Sequence, residues 1–347
     1  MMIGHHHSKY HKSDKHDRTA KKLTVAAIFL AVAATAVLCG IRFWENRAFS
    51  VDTDTSDPFH YDYDITYIDG QAYRKKPGLE TLLLIGVDKF DSDRNDGGYL
   101  NNEQADFLML LVIDNESKTY SALHLNRDTI TNIRILGVGG EEAGREEMQL
   151  ALAHTYGSGG SDSCLNTTDA VSTLLYSTEI NHYISVTMDA VEILNDSVGG
   201  VTLEIKDDLT KDDPMLIYGR EVKLTGKQAL LYVRARQSVD DSTNLHRMER
   251  QRQYLTALKD RLEILRAEGK WSVYNIFPEI TKYMVSDCTV NQFEDYLDKL
   301  SEYEFTGINA FDGRFDSSTG IGKFYVKDED VRDWVKNTIF VEADITD

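Results

Sequence analysis

Proline is scarce in this chain, 4 residues in 347, and cysteine scarcer still at 3. So little proline beside an ordinary hydrophobic content excludes a disordered or fibrous protein. No internal repeat or low-complexity tract is present, so the length fits one large domain or two small ones with a real core. Positive charge is also in short supply. There are 38 Lys and Arg against 57 Asp and Glu, a formal net charge of -19. The deficit is uneven: residues 1–47 hold 8 Lys and Arg against 3 Asp and Glu, a surplus of +5, which leaves -24 on the rest. A body this acidic excludes direct binding of nucleic acid.

Between the basic head and the acidic body, Leu23 to Ile41 is an apolar or small-residue run of about 19 residues, roughly the span of a bilayer. Lys21 and Lys22 precede it, with Lys9, Lys12, Lys15 and Arg18 upstream. The positive-inside rule then puts the N-terminus in the cytoplasm and everything after about Trp44 outside. A cleaved signal peptide is the alternative, since Ala34-Thr35-Ala36 offers a small-x-small site. The length of the run, with Arg42 and Trp44 beyond it, favours a retained anchor. Bulky Leu38 argues against a lipoprotein site at Cys39, and His5 to His7 read as a solvated run rather than a metal site. The resulting division is a basic cytoplasmic tail (1–22), a transmembrane signal-anchor helix (23–44), an extracytoplasmic spacer rich in Asp, Ser, Thr and Tyr (45–78) and a body (79–347). Cys164 and Cys288 remain outside, an even pair read as one disulfide, with two free thiols as the alternative.

The body opens with "LETLLLIGVD", whose continuous apolar run from Leu82 to Val87 predicts a buried strand. An acidic, Gly- and Asn-rich loop leads to two more strands, "DFLMLLVID" and "TYSALHL", joined by the polar turn "NESK" into a hairpin. A helical period follows in "MQLALAHTYG", where Leu150, Ala153 and His154 share a face. A helix is expected in "TTDAVSTLLYST", capped by Thr167 or Thr168. Next come a strand "HYISVTM", a helix capped by Asp189, a strand "GGVTLEI" and a short helix in "LTGKQALLYVRAR". The longest helix runs from Leu245 to about Ala267. Alternating strands and helices predict an α/β fold, a three-layer α-β-α sandwich around a central mixed β-sheet.

Three places carry candidate chemistry. Asp88 ends the first buried strand and Asp106 opens the second; carboxylates at strand ends can share a hard cation, or can simply cap turns. Arg127 and Asp128 are adjacent after the third strand, so in an extended chain they point to opposite faces, one able to enter a site while the other braces the scaffold; a structural ion pair is the alternative. The third place is "YVRARQSVDDSTNLHRMERQRQYL", which gathers Arg234, Arg236, Arg247, Arg250 and Arg252 without a lysine. Arginine alone suggests that the planar fork is wanted, as in bidentate binding of phosphate or carboxylate. Arg247, Arg250, Gln251 and Tyr254 fall on one helical face. A solvated face balanced by Asp240, Asp241 and Glu249 is the alternative.

In order and spacing, "LLLIGVD…ADFLMLLVID…ALHLNRDT…AHTYG…SVGGVTLEI…LTGKQALLYVRAR…LHRMERQRQYL" resembles the LytR-CpsA-Psr (LCP) family of Gram-positive bacteria, from about Leu82 to Leu258. The segment "INAFDGRFDSSTGIGKFYVKDEDVRDWVKNTIF" resembles that family's usual end. The resemblance implies a membrane-bound extracytoplasmic phosphotransferase. Such an enzyme moves an anionic glycopolymer, teichoic acid-like or capsular, from a polyprenyl pyrophosphate carrier to a peptidoglycan sugar hydroxyl, assisted by Mg2+ or, alternatively, Mn2+. By position, Asp88 and Asp106 match its metal-binding aspartates. Arg127, followed by Asp128, matches its strand-end arginine, and Arg234, Arg236, Arg247 and Gln251 match its pyrophosphate-binding set. An apolar pocket between sheet and helices would take the polyprenyl tail. The chain departs from the family at Asn126 (usually proline), Gln149 (usually lysine), Asn244 (usually acidic) and His246 (often glycine). His246 invites a general-base role, against a plain surface histidine. A hydrolase of the same carrier and a non-catalytic, membrane-anchored binder of lipid-linked polymer are the competing functions.

Overall fold

The computed structural model describes residues 65–89, 100–235, 244–318 and 320–343. The basic tail, the apolar 23–44 segment, the spacer up to residue 64 and Arg236 lie outside the described residues. Among the described residues no helix is long and apolar enough to cross a membrane. Within the stretch read as spacer, β1 (Thr66–Ile68) and β2 (Gln71–Lys75) form a ribbon, and β2 also pairs with β13 (Phe340–Glu342), near the C-terminus.

The expected strands lie at the centre. β3 (Leu79–Val87), β4 (Ala105–Asp114) and β5 (Thr119–Leu125) are consecutive antiparallel neighbours. β8 (His182–Thr187) runs parallel to β3, and β11 (Met284–Ser286) closes that side; β12 (Glu304–Asn309) runs parallel to β5 on the other. The mixed, six-stranded sheet has the order β11-β8-β3-β4-β5-β12. Its period of two sorts side chains between faces. Leu83, Ile85, Leu108, Leu110, Leu123 and Leu125 pack on one face with α1 (Ser161–Leu174), a 3-10 helix (Leu150–Thr155) and α7 (Asp328–Thr338). Leu82, Met109, Leu111, Ile113 and Ala122 pack on the other, where α4 (Leu245–Ala267) contributes Leu255 and α6 (Val290–Glu302) contributes Tyr296. Burial on both faces explains why β3 and β4 read as long apolar runs.

A second core lies among α2 (Asp189–Ser197), the hairpin of β9 (Thr202–Glu204) and β10 (Glu221–Lys223), α3 (Gly226–Arg234), α4 and α5 (Val273–Ile280). The Gly-Gly pair before β9 is a backbone requirement. Both residues have positive φ (Gly199 +72, Gly200 +93), and a Cβ on Gly200 would sit 2.8 Å from the Leu224 carbonyl oxygen. In α3, Thr225 and Gln228 form a capping box.

Several expectations are corrected. Residues Ile130–Leu136 (β6) and Glu142–Gln149 (β7) form a hairpin that showed no usable period, because β7 is mostly exposed. Within "MQLALAHTYG" the helix is Leu150–Thr155 alone, and it is a 3-10 helix. Helix α1 starts at Ser161 after Gly160, so Thr167 and Thr168 lie inside it, their hydroxyls donating to the Ser163 and Cys164 carbonyls. Asp189 is the first residue of α2 rather than its cap, which is Met188.

The disulfide expectation fails as well: Cys164 and Cys288 are both free. Cys164 belongs to the core on one face of the sheet and Cys288 packs against the core on the other, so the sheet stands between them. A disulfide tolerates Cα atoms only about 4.4–6.8 Å apart. A reductant is therefore expected to leave the melting temperature unchanged. Buried Cys164 should react with a thiol reagent only after unfolding. A drop of several degrees on reduction would contradict the free-thiol arrangement.

Candidate active site at the sheet end

Strand direction assembles the site. β3 and β8 end where β4 begins, since Val87 pairs with Ala105 and with Thr187. β5 ends there too, with Leu125 opposite Leu108. Asp88, Asp106 and the Asn126–Asp128 turn thus meet at one end of the sheet, where α/β proteins bind ligands beyond strand C-termini. They open onto a cavity of about 680 Å3 whose lining includes Asp88, Gln104, Asp106, Arg127, Arg234 and Arg247.

Arg127 does not continue β5. The Asn126 carbonyl accepts the Thr129 N–H at 3.0 Å, and the Asn126 side-chain oxygen accepts the Asp128 N–H at 3.0 Å, a tight Asx-type turn. Arg127 Nε lies 3.6 Å from the Asp128 carboxylate, so the two side chains form the ion pair of the alternative reading and do not point apart. The Arg127 side chain is 9% exposed and donates to Asp106 Oδ1 and to Gln104 Oε1. Arg247 reaches the same aspartate, with Nη1 3.5 Å from Oδ1 and Nη2 3.3 Å from the backbone oxygen. Arg234, half exposed at the end of α3, pairs with Asp88. Two aspartates thus hold three guanidiniums around one cavity. Helix α4 begins beside it with no acidic residue in its first turn, so its N-terminal dipole adds positive potential.

The arginine cluster divides by role. Arg250, 1% exposed, pairs with Asp207 and donates to the carbonyls of Tyr232 and Ala235. Gln251 donates to the Val233 carbonyl at 3.2 Å. These carbonyls close α3, so Arg250 and Gln251 cap one helix from the next. Neither residue lines the large cavity. Gln251 instead lines an apolar cavity of about 190 Å3 with Leu84, Phe107, Val191, Leu194 and Tyr254, between the sheet, α2 and α4.

Of the four departures, two meet. Asn244 donates to the Asn126 side-chain oxygen at 3.2 Å, tying the head of α4 to the Arg127 turn. Gln149 donates to Asp128 at 3.0 Å and to the Gly322 carbonyl at 2.6 Å. His246 faces Asp207 at 3.5 Å, the carboxylate that Arg250 also holds. His246 is not among the residues that line the large cavity. Glu103, unremarked in the sequence, also lines the large cavity; it is 5% exposed and lies 3.4 Å from buried His154, whose pKa burial pushes down to about 4. Only an acidic residue two positions before Gln104's neighbour Ala105 could have signalled it, and that is a weak signal.

One end of the α/β sheet thus holds a cavity lined by aspartates and arginines, with an apolar cavity nearby. A family model described as the LytR_cpsA_psr family matches residues 47–338, and the chain belongs to that family. It is 26% identical over 261 residues to the polyisoprenyl-teichoic acid–peptidoglycan teichoic acid transferase TagU of Bacillus licheniformis, covering 75% of this chain and 69% of that one. The Bacillus subtilis protein of the same name is 25% identical over 225 residues, covering 65% and 64%. The cell wall biosynthesis protein LcpA of Corynebacterium glutamicum is 28% identical over 211 residues, covering 52% and 39%. The chain therefore spans only 39–69% of the length of these relatives. Among solved structures, TagT bound to LI-WTA is similar with a TM-score of 0.56 at 18% identity, over 76% of this chain and 91% of that one. At that identity the likeness concerns the fold.

Proposed function

We propose that this chain is a membrane-anchored, extracytoplasmic phosphotransferase that moves an anionic glycopolymer from a polyprenyl pyrophosphate to a peptidoglycan sugar hydroxyl. The observation that carries the reading is the convergence of Arg127 and Arg247 on Asp106, with Arg234 on Asp88, around a cavity adjoining an apolar pocket. The pyrophosphate would lie in the first and the polyprenyl chain against Leu84, Phe107 and Leu194 of the second.

In the reaction the acceptor hydroxyl oxygen bonds to the phosphorus carrying the glycopolymer. The bond from that phosphorus to the bridging oxygen breaks, polyprenyl phosphate leaves, and the hydroxyl proton passes to solvent. Negative charge grows on the bridging oxygen as the bond breaks. Fixed guanidiniums aimed there stabilise the transition state more than the ground state. Arg127 and Arg247 are held by Asp106, so little reorganisation is needed.

The residues present fit Mg2+, or Mn2+ in its place. Among the described residues the large cavity is lined by four acidic (Asp88, Glu103, Asp106, Asp212) and four basic ones (Lys89, Arg127, Arg234, Arg247), which leaves a pyrophosphate's charge a further cation to meet. Asp88 and Asp106, with Gln104 beside them, offer the oxygen-only donors that a hard cation prefers. Bound there, the cation would supply charge neutralisation on the phosphate oxygens.

The test incubates the full chain in detergent with a synthetic polyprenyl-pyrophosphate-linked sugar, peptidoglycan oligomers and Mg2+, followed by mass spectrometry. A joined phosphodiester and released polyprenyl phosphate are expected, both lost in Asp88→Ala. Release without joining would replace the transferase with a hydrolase. Tight binding without turnover, unchanged in Asp88→Ala, would leave a binding protein.

A further inference from the structure

We propose that His182, Asp287 and Cys288 form a binding site for one Zn2+ ion at the edge of the central sheet. Nothing in this inference depends on the proposed transferase activity. His182 opens β8, and Asp287 and Cys288 directly follow β11, its antiparallel neighbour at the sheet edge. His182 pairs with Leu82 whereas the cavity end is at Thr187 and Val87, a separation of five residues, or about 16 Å of strand. The two sites are therefore distinct.

One ligand atom from each of the three residues lies within 4.8 Å of the others. His182 Nδ1 is 3.2 Å from Asp287 Oδ2, and Cys288 Sγ is 3.8 Å from Asp287 Oδ1. Tetrahedral zinc, with bonds of about 2.0 Å to nitrogen or oxygen and 2.3 Å to sulfur, sets its ligand atoms about 3.3–3.6 Å apart. The His182 spacing to Oδ2 is close to that value, the Cys288 contact is to the other oxygen of the same carboxylate, and 4.8 Å bounds every pair of ligand atoms. The donor set of thiol, imidazole and carboxylate suits zinc and is too soft for Mg2+ or Ca2+. With three protein ligands, a fourth position remains for water, and the partial exposure of all three residues gives the ion a way in.

The surroundings hold the ligands in place. Asp287 Oδ1 accepts the Tyr183 N–H at 2.9 Å. The Cys288 N–H donates to Ser286 Oγ at 2.9 Å, and that hydroxyl donates to the Tyr183 carbonyl at 2.8 Å. The His182 ring stands edge-on to Tyr296. In the capping box of α6, Gln292 Oε1 accepts the Thr289 N–H at 2.8 Å, which turns the Gln292 amide nitrogen to within 3.4 Å of His182 Nε2. Without metal, His182 therefore carries its proton on Nδ1, towards Asp287. On binding, the imidazole proton moves through solvent to Nε2, the Gln292 amide turns away, and the thiol proton is released. The ion would fasten the three-residue edge strand β11 and the head of α6 to β8.

The test titrates the full chain in detergent, with His5, His6 and His7 changed to Ala, first with Co2+ and then with Zn2+. One equivalent of Co2+ is expected to bind with a thiolate-to-cobalt charge-transfer band and tetrahedral visible bands, both removed by Zn2+. The melting temperature should rise as the ion concentration rises. Cys288→Ser should abolish the charge-transfer band, and His182→Gln should weaken binding at least tenfold. Cobalt held by Asp88 and Asp106 has no thiolate ligand and gives no such band. Absence of saturable binding in the parent chain would overturn the inference, as would a charge-transfer band that survives Cys288→Ser.

Discussion

Arg127→Ala is expected to lower kcat/KM for glycopolymer transfer by about 10²–10³-fold, the loss seen when one preorganised donor is removed from a developing oxyanion. The Arg127 side chain is 9% exposed and is held by Asp106, Gln104 and the Asp128 carboxylate, so it is aimed before substrate arrives. The loss should fall mainly on kcat, because the interaction strengthens as the pyrophosphate bond breaks. Arg127→Lys is expected to recover only part of it, since an ammonium cannot hold Asp106 and Gln104 in the same forked geometry. Steady-state kinetics of the three proteins, with melting curves to establish folding, make the comparison. A loss below about threefold in folded Arg127→Ala would remove this arginine from the chemistry.

The second large effect is on stability and separates two arginines one helical turn apart. Arg250→Ala is expected to destabilise the fold by about 3–5 kcal/mol, the usual consequence of removing one partner of a buried ion pair. It would leave Asp207, 11% exposed, without its main partner, and the α3 carbonyls of Tyr232 and Ala235 without their donor. Urea denaturation would show a lower midpoint at an unchanged slope. Arg247→Ala should instead cost far more activity than stability, because Arg247 faces the cavity and Asp106 keeps Arg127. If Arg250→Ala unfolds at the parent midpoint, the pair with Asp207 is not what docks α4 on α3.

Much of this was legible in the linear chain. β3 and β4 announced themselves because burial on both faces demands long apolar runs. Asp88 and Asp106 stood at strand ends, and antiparallel pairing was enough to bring them to one edge. The arginine-rich stretch without lysine pointed to an anion, and helix α4 has the expected bounds. The β6–β7 hairpin was not legible, because a strand exposed on most positions has no period to detect.

Residue types, their order and the apolar runs determined the α/β class, the central strands and the family, since these depend on local propensity and on burial patterns that survive in one dimension. Which arginine does what was decided only by the tertiary structure. Arg247 and Arg250 share a helical face, yet one meets Asp106 and the other closes the C-terminus of α3, a difference set by what packs against each turn. The same holds for Cys164 and Cys288. Nothing in their spacing says that a β-sheet lies between them, because the face on which a side chain lands depends on strand register and helix placement across the whole fold.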